Sequence, residues 1–148
     1  TLQEENKKLT LKYDQLINTP NENGDIGIAI GFSTPINKDQ LPEALQSHTT
    51  LISPSSVSER NLIQNQENLE RISAEVQSIL DRLSASENVK RIHMFLSVQS
   101  SLAIQIGRRY QEGTHRKWVI HNFSPDTGSY EWAIEISKNG VSEFKFQS

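Results

Sequence analysis

Cysteine is absent from this chain of 148 residues. Disulfide bonds and thiol chemistry are therefore excluded, and the composition suits a cytoplasmic protein. Long apolar runs are also missing, because no stretch approaches the roughly 18 residues that span a bilayer. The chain lacks the GxSxG, HExxH, GxxxxGK[ST] and GxGxxG patterns, and its four histidines have no metal-ligand spacing. We therefore expect a binding domain without cofactor or metal rather than an enzyme.

The charge of the chain is unevenly distributed around a net value of −3. Residues 90–117 carry six basic groups and one acidic group, whereas residues 1–89 carry seven basic and thirteen acidic groups. A local positive field on an acidic protein favours a small anion over a long polyanion. We therefore expect no DNA or RNA polymer as a partner.

The amino-terminal segment is charged and has Leu2, Leu9 and Leu16 seven residues apart. This spacing predicts that residues 1–19 form a helical stalk or linker, continuing from an effector that precedes the chain. A helix docked on its own domain is the alternative. Any membrane link would run through that preceding segment. The composition of Thr19 to Gly24 is typical of a linker, and we place the sensor domain at residues 25–148.

The remaining pattern alternates between strands and helices. It predicts strands at 25–33, 49–53, 91–98, 117–123, 130–137 and 141–146, with helices at 37–47, 58–83 and from about Ser101 to Glu112. Asn139-Gly140 predicts a tight hairpin between the last two strands. The order indicates an α/β fold with a Rossmann-like, mainly parallel sheet flanked by helices and a carboxyl-terminal β-hairpin.

The strand from Arg91 to Val98 runs directly into a helix, with Ser100 as the predicted N-cap. Such a unit places free backbone N–H groups at the carboxyl edge of the sheet, where open α/β sheets hold anionic ligands. Within the strand, His93 is predicted to be a satisfied core histidine.

The run RIHMFLSVQSSLAIQIGRR, followed by KWVIHNF and by the segment YEWAI, resembles the SAVED domain. This CARF-related sensor is found fused to effectors in CBASS and some CRISPR anti-phage systems. The resemblance covers residues 25–137, and Ser33-Thr34-Pro35 after the first strand also fits it. The chain departs from the family in having strands for one CARF-like half instead of two. It also has Gln99 where proline is usual, and it lacks a Tyr-Glu pair near His121.

The resemblance implies that the chain binds a cyclic di- or oligonucleotide and assembles into a homo-oligomer that activates the fused effector. A cytoplasmic location follows, either free or as the cytoplasmic part of an inner-membrane protein. A second chain could complete the ligand pocket.

The chemistry of the residues agrees with such a ligand. Hydroxyls and backbone N–H groups at strand ends suit phosphates, and aromatic or amide side chains suit bases. The candidate ligand-binding residues are Ser33, Thr34, Pro35, Ser53, Gln99, Ser100, Ser101, Arg108, His121, Asn122, Phe123 and Tyr130. Two alternatives remain: a ring nuclease that uses Ser33, Ser100 or Ser101, and an oligomerisation module that needs no ligand.

Overall fold

The computed structural model describes residues 9–13, 15–56, 58, 62–110 and 116–146. These residues contain one seven-stranded sheet and two α-helices. The strands are β1 (Leu11–Lys12), β2 (Asp25–Gly31), β3 (Thr49–Pro54), β4 (Arg91–Ser97), β5 (Lys117–Ser124), β6 (Ser129–Ser137) and β7 (Gly140–Phe144). The helices are α1 (Gln66–Ser84) and α2 (Ser100–Arg108). No helix among the described residues is long and apolar enough to cross a membrane.

The strands lie in the order β1-β3-β2-β4-β5-β6-β7. The four inner strands β3, β2, β4 and β5 pair in parallel, as the prediction of a Rossmann-like core requires. The pairings β1–β3, β5–β6 and β6–β7 are antiparallel, so the sheet is mixed rather than mainly parallel. The carboxyl-terminal hairpin is confirmed, and Gly140 at its turn has a φ of 108° that suits glycine.

One face of the sheet is covered by the helices. The β2 residues Ile26, Ile28 and Ile30 are fully buried there, together with an apolar stripe of α1. That helix begins at Gln66 instead of residue 58, because the Asn65 side chain accepts the Asn68 N–H at 2.8 Å and caps it. We call this side of the sheet the helix face.

The predicted helix at 37–47 is wrong. The segment forms two short 3-10 turns, Lys38–Gln40 and Glu43–Leu45. Between them Pro42 has no N–H to donate, and Leu41 before it is extended at φ −80° and ψ 152°. Leu41 and Leu45 nevertheless become buried, against Ala29 and Phe95 on the sheet face opposite the helices. We call this side the second face.

The predicted helical stalk is wrong for the residues that the structure describes. Leu11–Lys12 form a strand whose partners in β3 are Pro54 and Ser53, and residues 15–19 contain no helix. Leu9 is buried in the core of the helix face, so the segment gains more by pairing with the edge strand and packing its leucine. Residues 1–8 and 14 lie outside the described residues. The division into a stalk and a sensor domain stays a prediction.

Candidate functional site

The ends of β2 and β4 meet at the carboxyl edge of the sheet. The Thr34 Oγ1 and Ser97 Oγ atoms lie 2.7 Å apart, and the Thr34 N–H donates to Ser97 Oγ at 3.2 Å. The Ser97 carbonyl accepts the N–H groups of Phe32 and Ser33 at 2.8 and 2.7 Å. Ser97 therefore joins the end of β4 to the segment that follows β2, and the sequence interpretation did not single it out.

A cavity of about 80 Å³ opens beside this junction, and we call it the edge cavity. Four of the predicted binding residues line it, namely Thr34, Pro35, Phe123 and Tyr130. Sequence reasoning missed Gln40 and Ser97. The full lining is Thr34, Pro35, Ile36, Gln40, Leu96, Ser97, Phe123 and Tyr130.

Tyr130 is held at the cavity by other aromatic rings. Its ring meets Phe95 edge-on at 4.9 Å between centroids and lies 5.2 Å from Phe123. Burial raises the pKa of Tyr130 to about 12, so its hydroxyl is protonated at neutral pH and can donate. No hydrogen bond joins the Tyr130 hydroxyl to another of the described residues.

A second cavity of about 260 Å³ adjoins the first and shares Tyr130 with it. We call it the aromatic cleft. Trp132 on its wall is 53% exposed, and Phe144 and Phe146 form another part of the wall. The lining is His121, Tyr130, Glu131, Trp132, Ala133, Phe144, Lys145 and Phe146. The cleft offers aromatic rings together with the imidazole of His121.

A cluster of buried polar side chains lies next to this cleft, within the sheet. Asp25 Oδ1 lies 2.6 Å from Arg91 Nε and 3.0 Å from His93 Nε2, and His93 Nδ1 lies 2.7 Å from His121 Nε2. A neutral imidazole has one N–H. His93 Nδ1 and His121 Nε2 share one hydrogen bond, whereas His93 Nε2 is buried and faces Asp25 without an aligned hydrogen bond. His93 is a core histidine, as predicted, but only its Nδ1 is satisfied by a hydrogen bond.

Burial decides the charge of both imidazoles. It lowers the pKa of His93 despite the nearby Asp25, and it lowers the pKa of His121 to about 3, helped by repulsion from His93. Burial alone would raise the pKa of Asp25, but contacts with His93 and Arg91 outweigh it and lower that pKa. At neutral pH this buried cluster therefore contains the ion pair of Asp25 with Arg91 and two neutral histidines.

The side chain of Gln99, at the amino terminus of α2, is bound to the protein's own backbone. The Gln99 amide donates to the Ile63 carbonyl and accepts the Ile63 N–H, both at 2.9 Å. Gln99 also donates to Ser101 Oγ at 3.0 Å and, with its extended backbone, is the N-cap in place of Ser100. The prediction of Ser100 as the N-cap is therefore wrong. The side chains of Gln99 and Ser101 bind within the chain while Ser100 stays exposed, and a role of these residues in ligand binding stays a prediction.

The other predicted binding residues are dispersed. Ser53 lines an outer depression of about 250 Å³, which shares Pro35 and Ile36 with the edge cavity. Arg108 is exposed at the far end of α2, roughly 12 Å along the helix from Ser100. Asn122 is exposed opposite Trp132 in the β5–β6 pairing. Ser33 is half-buried and lines none of these cavities.

In the described part of the chain, the two cavities hold neither a metal-binding cluster nor the serines named for a ring nuclease. These residues contain no group of three or more His, Cys, Asp or Glu side chains that could hold a metal ion. Ser33, Ser100 and Ser101, which a ring nuclease would use, line neither the edge cavity nor the aromatic cleft. The geometry is suited to binding by hydrogen bonds and stacking.

Comparisons with known proteins agree with this description. The family model of the SAVED domain, the "SMODS-associated and fused to various effectors sensor domain", matches residues 3–136. Two similar solved structures are of an Acinetobacter baumannii Cap4 SAVED/CARF-domain containing receptor, one with the cyclic trinucleotide 2′3′3′-cAAA and one with 3′3′3′-cAAA. They are 20% and 21% identical to this chain, each with a TM-score of 0.63. The matches cover 84% of this chain but 26% of the receptor chain, so this chain spans about a quarter of the receptor's length. No curated protein sequence matches this chain.

Proposed function

Because this chain belongs to the SAVED family of sensor domains, we propose that it binds a cyclic oligonucleotide across the edge cavity and the aromatic cleft. The proposal rests on one observation, which is that Tyr130 lines both cavities. One cavity has hydroxyl and amide groups for a sugar-phosphate ring, and the other has rings on which a base can stack. The structural likeness to receptors with bound cyclic trinucleotides supports this ligand class.

The size of the cavities argues for a shared pocket. Pockets that enclose a small molecule usually measure about 300–1,000 Å³, whereas these two measure about 80 and 260 Å³. A cyclic oligonucleotide would therefore lie across both of them and leave one side uncovered. We propose that a second protein surface covers this side, supplied by a second copy of the chain or by further protein sequence.

Charge near the cavities is limited, which affects how the ligand is recognised. None of the residues that line the edge cavity is charged, and Lys145 is the one basic residue that lines the aromatic cleft. Binding would therefore depend on hydrogen bonds and stacking more than on counterion release. We expect its salt dependence to be weaker than that of proteins that bind nucleic-acid polymers.

A thermal-shift panel of cyclic di- and trinucleotides tests the proposal. A ligand at about a hundred times its Kd adds about 2.7 kcal/mol of stability, which corresponds to a rise in Tm of roughly 5–10 °C for a domain of this size. We expect such a rise with at least one cyclic compound and none with ATP or linear dinucleotides. Equal shifts with cyclic and linear compounds would contradict recognition of a ring.

We also propose that ligand binding drives self-association and thereby activates a fused effector. The uncovered side of the cavities favours a second copy because one ligand could then contact both chains. Sedimentation analysis with and without the ligand measures this directly. Assembly that depends on the ligand supports the sensor, whereas equal assembly without ligand supports an oligomerisation module that needs none.

A further inference from the structure

Gln40 is anchored by its own turn in a way that fixes the orientation of its amide. Its Oε1 accepts the Asn37 N–H at 2.8 Å, as in one half of a capping box. Because a backbone N–H can only donate, the atom facing it must be the oxygen, and the NH₂ group is on the other side. Among the described residues that NH₂ group has no hydrogen-bond partner, while Gln40 lines the edge cavity. Gln40 therefore has a free amide donor beside the edge cavity.

The neighbouring hydroxyls add further donors. Thr34 and Ser97 share one hydrogen bond, so one of their two hydroxyl protons remains free to donate. The protonated Tyr130 hydroxyl supplies another donor. No acidic residue lines the cavity, so no carboxylate is available to accept hydrogen bonds from a ligand. The edge cavity thus suits a group that only accepts hydrogen bonds.

The volume narrows the identity of that group. The edge cavity, at about 80 Å³, is small and open to solvent on one side. A phosphate is a small group that can enter such a cavity. The adjoining aromatic cleft is about three times larger and is walled by rings.

We infer that the edge cavity is a phosphate subsite in which Gln40 donates to a phosphodiester oxygen, while a base of the same ligand stacks in the aromatic cleft. This inference rests on the proposed function and assigns separate tasks to the two cavities. It adds Gln40 and Ser97 to the binding residues, and it predicts that recognition at Gln40 does not depend on the identity of the bases.

The test uses Gln40→Glu and the whole chain. The substitution keeps an oxygen to accept the Asn37 N–H, so the turn is preserved, but it replaces the donor by a carboxylate that repels phosphate. We expect the affinity for 3′3′3′-cAAA, measured by titration calorimetry, to fall about tenfold or more. A cyclic trinucleotide with guanine in place of adenine should lose affinity by the same factor. Asn139→Asp makes the same change of charge at the β6–β7 turn, at the other edge of the sheet, and should leave affinity within twofold.

The outcomes separate the inference from the function on which it rests. An unchanged affinity of Gln40→Glu, or a loss that differs between the adenine and guanine ligands, overturns the phosphate subsite but leaves the sensor proposal standing. A wild-type chain that binds no cyclic oligonucleotide overturns both. If Gln40→Glu melts well below the wild type without ligand, Thr34→Val provides a second test. It should weaken both ligands by the same factor, and an unchanged affinity would contradict the subsite.

Discussion

The two faces of the sheet differ in composition along the same strands. In β2, Ile26, Ile28 and Ile30 point to the helix face, whereas Gly27, Ala29 and Gly31 alternate with them and point to the second face. The helix face is closed by apolar packing. The second face carries the buried histidines, and its rim bears the edge cavity and the aromatic cleft. The comparison indicates that the larger apolar core lies on one face, and we propose that recognition belongs to the other.

The largest effect should come from removing an isoleucine of the helix face. Ile28 is fully buried, and Ile28→Ala should lower the free energy of unfolding by about 2–5 kcal/mol, because it loses apolar burial and leaves a cavity. Chemical denaturation measures the change. Ile104→Ala is the matched control, because Ile104 is 61% exposed and should cost less than about 1 kcal/mol. Equal losses at the two sites would contradict the assignment of the core.

Adding a methyl group to the second face should also destabilise the protein. A Cβ at Gly27 would collide with Thr49 Oγ1, which is buried and donates to the Leu45 carbonyl at 2.7 Å. We expect Gly27→Ala to cost about 1–3 kcal/mol in equilibrium unfolding. Gly107→Ala is the control, because a Cβ there meets no atom within 4 Å and alanine favours the helix. An unchanged free energy of unfolding in Gly27→Ala would show that the second face can accept a methyl group at this position.

Acidification should destabilise the second face through its histidines. The folded pKa values of His93 and His121 are lowered, whereas an unfolded histidine titrates near pH 6.5. Below that pH the unfolded state binds more protons, so stability falls as pH decreases toward the folded pKa values. The expected loss is about 1.4 kcal/mol per pH unit for each histidine that stays neutral.

Unfolding free energies at several values between pH 7 and pH 4.5 measure this slope. His121→Phe removes one of the two groups, and its ring can still stack near Phe95, which lies 4.3 Å from the imidazole centroid. We expect the variant to show a shallower slope. The same slope in the variant and the wild type would show that His121 is not held neutral.

The smallest change is the removal of one hydroxyl at the junction of the two cavities. Tyr130→Phe keeps the contacts with Phe95 and Phe123 but removes the donor. Stability should change by less than about 0.5 kcal/mol, since no hydrogen bond within the described residues is lost. The affinity for a cyclic trinucleotide should fall about threefold to tenfold. A large change in Tm with unchanged affinity would reverse the roles given to the two faces.

The alternation of residues was enough to predict the inner strands and the final hairpin. The Ile-Gly-Ile-Ala-Ile run of β2 has the period of a strand, and Asn139-Gly140 fits a tight hairpin turn. The prediction of a helix at 37–47 was wrong because Pro42 lies in the middle of the segment, which forms two turns instead. Propensity alone could not decide between one helix starting near the proline and two turns on either side of it.

The candidate site was predicted less completely because it depends on contacts distant in sequence. Thr34 and Tyr130 stand out as a hydroxyl and a ring at strand ends, and the structure places both at the edge cavity. Gln99 has the same polar character, but its amide is used by Ile63, which is 36 residues away. Gln40 had a local signal in its spacing of three from Asn37, yet its place at the cavity depends on how the turn packs.

The most direct test of the account is an amide-resolved NMR titration of the chain with 3′3′3′-cAAA. We predict the largest chemical-shift changes at Thr34, Gln40, Ser97 and Tyr130, on the rim of the second face, and small changes at Ser100 and Ser101. Changes concentrated at the start of α2, with the edge cavity unaffected, would contradict the claim that recognition belongs to the second face.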